Sequence, residues 1–213
     1  MRITGGKLAG RTLNVPKTAL RPTQDKVRQA LFSMLGGVVA GARVLDLFAG
    51  TGALGLEAWS RGAAAVWWVE KDFRALAALR TNVSALCGDA ALAKQGPLRC
   101  VAADALRFLT HGLAGEPFDI ILADPPYDRD GSRRWLEHCL HEIVRAGTLK
   151  PGGWLVFELA ATEGVVTPAA WQLVRDRVYG DTRLLLYCLA GASLVESASV
   201  FGGNPNQNTE EKS

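Results

Sequence analysis

The chain has 213 residues, with 24 Lys and Arg against 21 Asp and Glu, a hydrophobic share of 48% and a charged share of 21%. These values exclude a disordered or fibrous chain and fit one α/β domain large enough to bury a full core. The apolar stretches are interrupted by Arg43, Asp46, Glu70 and Asp119, so none reaches the roughly 18 residues of a membrane span, and no signal-peptide pattern opens the chain; a cytoplasmic protein with no membrane partner is expected.

Charge is unevenly placed. In residues 1–28, Arg2, Lys7, Arg11, Lys17, Arg21, Lys26 and Arg28 stand against the single acid Asp25, a net +6 that leaves −3 for the rest. A solvated charged face would intersperse acids; a basic arm on a mildly acidic body suits a polyanionic substrate. Within the arm, residues 1–16 carry Gly5-Gly6 and Gly10 and predict a short β-hairpin. Val27, Ala30, Leu31, Met34 and Leu35 recur at helical spacing and predict a helix over Pro22 to Leu35, capped by Thr23 and stopped by Gly36-Gly37.

From Arg43 the pattern alternates between strand and helix. Strands are predicted at Val44 to Phe48, Ala65 to Val69, Leu98 to Ala102, Phe118 to Ala123 and Trp154 to Leu159. Helices are predicted at Gly52 to Ser60, Asp72 to Leu86, Ala105 to Leu109 and Ser132 to Ala146. Pro151-Gly152-Gly153 reads as a turn into the fifth strand. Gln172 to Tyr179 and Arg183 to Leu189, joined by Gly180-Asp181, read as an antiparallel hairpin. The expectation is a mostly parallel seven-stranded sheet with an antiparallel edge hairpin and a small amino-terminal hairpin and helix extension. The chain divides into a basic arm (1–37), a body (38–190) and a tail (191–213) with little to bury, expected to be disordered.

Cys87, Cys100, Cys139 and Cys188 lack paired spacing, so neither a zinc site nor a disulfide framework is expected. His138 and His141 lie one helical turn apart without a third ligand nearby and read as helix surface. No metal is expected.

Asp124-Pro125-Pro126-Tyr127 directly follows the apolar run of the fourth strand, where ligands collect in open α/β sheets. The bland alternative is a simple turn, since Asp and Pro are turn residues everywhere. The two prolines stiffen the loop and hold Asp124 out of the helical region. The Asp124 carboxylate and the Pro125 carbonyl can accept from an exocyclic amine, whose lone pair is delocalised into its ring, and Tyr127 can stack on that ring. After the first strand, Asp46-Leu47-Phe48-Ala49-Gly50-Thr51-Gly52-Ala53-Leu54-Gly55 contains GxGxxG, which by itself is shared with dinucleotide enzymes. Asp46 would repel a pyrophosphate but suits the ammonium of a methionine moiety. Glu70 can accept from ribose hydroxyls and Asp104 from an adenine amino group, although each acid alone could be a helix cap. Acids at three successive strand ends point to S-adenosylmethionine as cofactor.

Arg21-Pro22-Thr23-Gln24-Asp25-Lys26-Val27-Arg28-Gln29-Ala30-Leu31-Phe32, with Ile3-Thr4-Gly5-Gly6, Gly10-Arg11, the loop from Leu45 to Ala58 and Asp124-Pro125-Pro126-Tyr127, resembles the bacterial 16S ribosomal RNA guanine-N2 methyltransferases. These are named for guanine 966 of the small subunit. The resemblance spans nearly all of residues 1–190 and implies a Rossmann-like class I S-adenosylmethionine-dependent fold. It also implies a guanine target on the small ribosomal subunit or its assembly intermediate. The base site it implies is Asp124, Pro125, Pro126 and Tyr127. Some members carry Phe at the Tyr127 position, which implies stacking rather than phenol chemistry. The cofactor contacts it implies are Asp46, Phe48, Ala49, Gly50, Thr51, Gly52, Glu70, Lys71, Asp104, Ala105 and Asp124. Expected RNA contacts are Arg2, Lys7, Arg11, Arg21, Thr23, Lys26 and Arg28. Alternatives are an adenine-N6 or other nucleic-acid amino-methyltransferase, a dinucleotide-dependent oxidoreductase, and an RNA-binding assembly factor without catalysis.

Overall fold

Seven strands form one sheet in the order β3-β2-β1-β4-β5-β7-β6. The computed structural model describes residues 1–15, 24–93, 96–111, 115–128 and 132–191. The strands are β1 (Arg43–Asp46), β2 (Ala65–Glu70), β3 (Leu98–Ala102), β4 (Phe118–Ala123), β5 (Leu149–Ala160), β6 (Trp171–Tyr179) and β7 (Thr182–Leu189). The first five pair in parallel, and β7 runs antiparallel to both β5 and β6. The helices are α1 (Gln24–Leu35), α2 (Ala53–Ser60), α3 (Phe73–Cys87), α4 (Ala105–Thr110) and α5 (Trp135–Ala146).

Both faces of the sheet are covered, which is why the central strands are nearly continuously apolar. Alternate residues feed two cores. Val44, Val66, Trp68, Ile120, Leu122 and Val156 pack under α1, α2 and α3, together with Ile3 and Leu13 of the amino-terminal segment. Leu45, Val69, Ile121, Ala123, Leu155 and Phe157 pack under α4 and α5. The third glycine of the loop is required by this packing: a Cβ on Gly55 would sit 2.1 Å from the Trp68 indole nitrogen. The α2 backbone therefore lies directly on β2.

The amino-terminal segment closes a small antiparallel ladder. Arg2 bridges Thr12, and Ile3 N–H donates to the Arg11 carbonyl at 2.9 Å, around a short 3-10 turn at Gly6–Leu8. The predicted hairpin is thus present over its described part, while Pro22, Thr23 and residues 192–213 of the expected tail lie outside the described residues. Among the described residues, three boundaries differ from the sequence reading by two residues or more. β1 ends at Asp46, because Leu47 and Phe48 already turn toward the glycine loop, although Leu47 N–H still donates to the Leu122 carbonyl. α5 starts at Trp135, preceded by Arg134 in the left-handed region. β5 begins at Leu149, and Pro151-Gly152-Gly153 is a bulge inside it rather than a turn before it: Phe118 pairs Leu149, yet Ile120 already pairs Trp154. Among the described residues no helix is long and apolar enough to cross a membrane, and no cluster of three or more His, Cys, Asp or Glu has the arrangement of a metal site.

Candidate active site

Four acids fall on one face of the sheet at its carboxyl edge. Register places Asp46 level with Trp68 and Leu122, while Glu70 ends β2 and Asp124 follows Ala123, the last paired residue of β4. Side chains alternate along a strand. Asp46, Glu70 and Asp124 therefore project to the same face as Val44, Trp68 and Leu122, the side covered by α1, α2 and α3. The fourth acid is Glu158, one residue beyond the Ala123 and Phe157 pair. Asp46, Asp124 and Glu158 line one cavity of about 430 Å³ with Phe48, Ala49, Gly50 and Thr51 of the glycine loop. Asp72, Arg74 and Ala75 at the start of α3 complete one wall, and Met1, Val15 and Arg28 of the amino-terminal part complete another.

Backbone geometry fixes the acids individually. Gly50 and Gly52 have φ of 53° and 87°, the left-handed region that side chains disfavour. That turn aims Gly50 N–H at Glu70 Oε2, at 2.8 Å, while Glu70 Oε1 accepts from Asp72 N–H at 2.7 Å. A carboxylate has about four acceptor sites, so Glu70 keeps capacity for a ligand. Asp46 is 1% exposed, and its Oδ2 accepts from Gly55 N–H at 2.9 Å. Its Oδ1 is buried with no hydrogen-bond partner among the described residues. Burial, followed by the neighbouring charges of Asp124 and Glu70, pushes the Asp46 carboxyl up to about 7 against the lowering effect of Gly55. An unsatisfied buried carboxylate oxygen is costly unless a donor meets it. This cavity therefore fits a cationic ligand group and is badly suited to a pyrophosphate.

The other expected cofactor residues lie at the same edge. Asp104 caps α4, its Oδ1 accepting from Leu106 and Arg107 N–H at 3.1 and 3.3 Å. Its Oδ2 meets Lys71 Nζ at 3.3 Å, so the capping alternative is realised and Lys71 is already ion-paired. Ala105 is buried at the start of α4. Phe48 packs edge-on against Trp135, with ring centroids 5.3 Å apart.

In the Asp-Pro-Pro-Tyr loop, Pro125 is buried, Pro126 exposed and Tyr127 half-buried. The Tyr127 hydroxyl hydrogen-bonds Thr182 Oγ1 at 2.8 Å, tying the ring to the first residue of β7. Beyond Tyr127 a second cavity of about 910 Å³ is lined by the start of α5, by the segment after β5 and by the β6–β7 turn. Asp128 closes the loop by accepting from Arg133 and Arg134 N–H at 2.8 and 2.7 Å.

Among the expected RNA contacts, Arg2, Lys7, Arg11 and Lys26 are positioned differently from Arg28: Arg2, Lys7 and Arg11 are exposed, and Lys7 lies over the Trp59 ring at 4.0 Å. Lys26 stands in the first turn of α1. Arg21 and Thr23 lie outside the described residues. Arg28 is corrected. It is 3% exposed, with Nε on Glu57 Oε2 at 3.2 Å and Nη2 on Asp25 Oδ1 at 2.9 Å and on the Arg2 carbonyl. Its guanidinium neutralises the fully buried Glu57, which also accepts from Thr4 N–H and Thr4 Oγ1 at 2.8 and 2.7 Å and from Arg61. A charge so buried and paired holds the amino-terminal segment on α2 rather than standing on the surface where a phosphate backbone would meet it. Sequence reasoning missed Glu57, and also Asn82, whose side chain bonds both backbone groups of Asn14 and the Thr51 carbonyl. No local motif marks either residue, because their partners lie far along the chain. Glu158 was also missed, although an acid ending the apolar run Trp154 to Phe157 repeats the placement of Glu70 and Asp124.

Comparison with known proteins agrees with this geometry. The family model described as conserved hypothetical protein 95 matches residues 1–188. The ribosomal RNA small subunit methyltransferase D of Escherichia coli strain K12 is 38% identical over 189 residues, covering 88% of this chain and 89% of that protein. The protein of the same name from Haemophilus influenzae is 30% identical, covering 88% and 93%. Among solved structures, the Escherichia coli methyltransferase candidate yhhF superposes with a TM-score of 0.75 at 38% identity, covering 89% of this chain and 97% of that one. A hypothetical protein of Thermus thermophilus superposes with a TM-score of 0.68 at 34% identity, covering 87% and 98%. The sheet order and its antiparallel edge are those of a Rossmann-like methyltransferase fold. The chain belongs to the conserved hypothetical protein 95 family, the family of the ribosomal RNA small subunit methyltransferase D proteins.

Proposed function

We propose that the protein transfers a methyl group from S-adenosylmethionine to the exocyclic N2 amino group of a guanine in the small-subunit ribosomal RNA, the nucleotide being guanine 966 by family resemblance. The observation that supports this most is the row of carboxylates Glu70, Asp46 and Asp124 on one face, beside the stiff Asp-Pro-Pro-Tyr loop. S-adenosylmethionine supplies an electrophilic methyl on a sulfonium. Asp46, with its orphaned Oδ1, would hold the ammonium of the methionine part. Glu70 would accept from ribose hydroxyls with the capacity that Gly50 and Asp72 leave. Lys71, Asp104 and Ala105 would border the adenine, and Phe48 to Gly52 would wrap the middle.

On the substrate side, Asp124 would accept from the amino group and disperse the positive charge that grows on nitrogen, while the Pro125 carbonyl takes the second N–H. Tyr127 would stack on the base. Its hydroxyl is hydrogen-bonded to Thr182, which suits a ring held for stacking. Catalysis of this kind is mostly positioning and charge placement. A paired or stacked base has to turn out of its stack to reach the loop. Residues 1–37 would act as the RNA arm of the body at 38–190, with Arg2, Lys7, Arg11 and Lys26 as phosphate contacts. Arg21 and Thr23 would be further RNA contacts.

The test is Asp124→Ala. The expected result is loss of methyl transfer, by at least about a hundredfold, with S-adenosylhomocysteine binding retained by calorimetry; a fully active variant refutes the role of Asp124. Thermal stabilisation by NAD but not by S-adenosylhomocysteine would favour the oxidoreductase alternative instead.

A further inference from the structure

We infer that Glu158 is the residue that makes the target site selective for guanine, accepting the base's N1–H beside the amino group held by Asp124. This rests on the proposed guanine-N2 chemistry and adds to it the element of base discrimination. The parallel register Ala123 to Phe157 leaves Asp124 and Glu158 as the next residues on neighbouring strands, about 4.8 Å apart in the pairing direction. They project to the same face and line the same cavity. Strand order β1-β4-β5 puts Asp124 between Asp46 and Glu158. The donor site lies on the β1 side of Asp124, so Glu158 stands on the side left for the substrate. The chain then runs from Glu158 through Ala160 to Val166 along the cavity that Tyr127 also borders.

The chemistry follows from the edge of the base. Guanine presents two adjacent donors, N1–H and the 2-amino group, to two adjacent acceptor-only carboxylates. Adenine presents its amino group beside N1, a bare acceptor, and a carboxylate facing that lone pair is repelled and left unsatisfied. Asp124 alone serves any exocyclic amine; Asp124 with Glu158 serves a donor-donor edge.

The experiment places guanine or 2,6-diaminopurine at the target nucleotide of a small-subunit RNA substrate and compares kcat/KM for the wild type and for Glu158→Gln. Diaminopurine keeps the 2-amino group but carries a lone pair at N1 and an amino group in place of O6; the change at C6 is common to both enzymes, so the role of Glu158 is read from the change in the ratio. Wild type should prefer guanine by roughly ten- to hundredfold, the range of one hydrogen bond to a charged group. Glu158→Gln, whose amide can donate to N1, should shrink that preference at least about fivefold, mostly by raising transfer to diaminopurine relative to guanine. A structural role would lower both substrates equally and leave the ratio unchanged, which overturns the assignment while transfer to guanine by the wild type still stands. Wild type that methylates neither base overturns the functional reading and this inference with it. Should Glu158→Gln fail to fold, Glu158→Ala is compared in the same way and should also shrink the preference, while equal use of the two bases by the wild type refutes an N1–H acceptor.

Discussion

Asp46 is the group on which pH should act most visibly. Its carboxyl is raised from an ordinary 3.8 to about 7, first by burial and then by Asp124 and Glu70. The folded protein without cofactor thus binds a proton that the unfolded chain releases near pH 4. The stability linked to that proton is full below the unfolded value and is lost as pH rises through about 7. A rise of about three units corresponds to about 4 kcal/mol. Holding an ammonium against Oδ1 requires the ionised form, so cofactor binding should expel the proton. For a pKa near 7, the competent fraction is about three quarters at pH 7.5 and about a tenth at pH 6, which makes binding about eightfold weaker at pH 6. Isothermal titration with S-adenosylhomocysteine at the two pH values, repeated in buffers of different ionisation enthalpy, reads both quantities. About half a proton should leave per cofactor bound at pH 7. Asp46→Asn keeps an acceptor for Gly55 N–H, and it should bind more weakly, flatten the pH dependence and raise the melting temperature of the free protein at pH 7.5 but not at pH 4. Equal affinity at pH 6 and 7.5 with no proton released would refute the assignment of Asp46 as the ammonium site.

Glu57→Ala leaves the buried Arg28 without its main counter-charge, and denaturant unfolding should show a loss of about 3–5 kcal/mol; a loss under about 1 kcal/mol would mean that the amino-terminal segment is not held by this pair. Gly55→Ala puts a methyl against Trp68 and should destabilise by about 1–3 kcal/mol in the same assay. Reversing Lys7 and Arg11 to Glu should weaken RNA binding and flatten its dependence on salt by roughly 0.7–0.9 for each phosphate no longer neutralised, measured by filter binding over a salt series. An unchanged slope would place these side chains off the RNA.

Much of this was legible in the sequence because it is local. The alternation of strand and helix, the glycine loop and the Asp-Pro-Pro-Tyr loop each declare themselves within short stretches of chain, and β3 and β4 have the predicted limits. What was not legible depends on pairing across the sheet or across the chain. The bulge at Pro151-Gly152-Gly153 is visible only when β4 is laid beside β5, because proline and two glycines look the same in a turn and in a bulge. Arg28 belongs to a basic run along the chain, yet it is buried by Glu57, 29 residues away. Asp104 could have been a cap or a ligand, and its hydrogen bonds make it a cap at least. The neighbourhood of Glu158 and Asp124 likewise exists only in the register.

Methyl transfer to a guanine N2 in small-subunit RNA through the Asp124 loop leaves a chemical mark that can be located. The most direct measurement incubates the protein with methyl-labelled S-adenosylmethionine and small subunits, free ribosomal RNA or duplex DNA, then digests each to nucleosides and locates the label. The expected product is N2-methylguanosine at a single position of the small-subunit RNA, absent with Asp124→Ala. Label in N6-methyladenine of DNA, or no label in any of the three substrates, would contradict it.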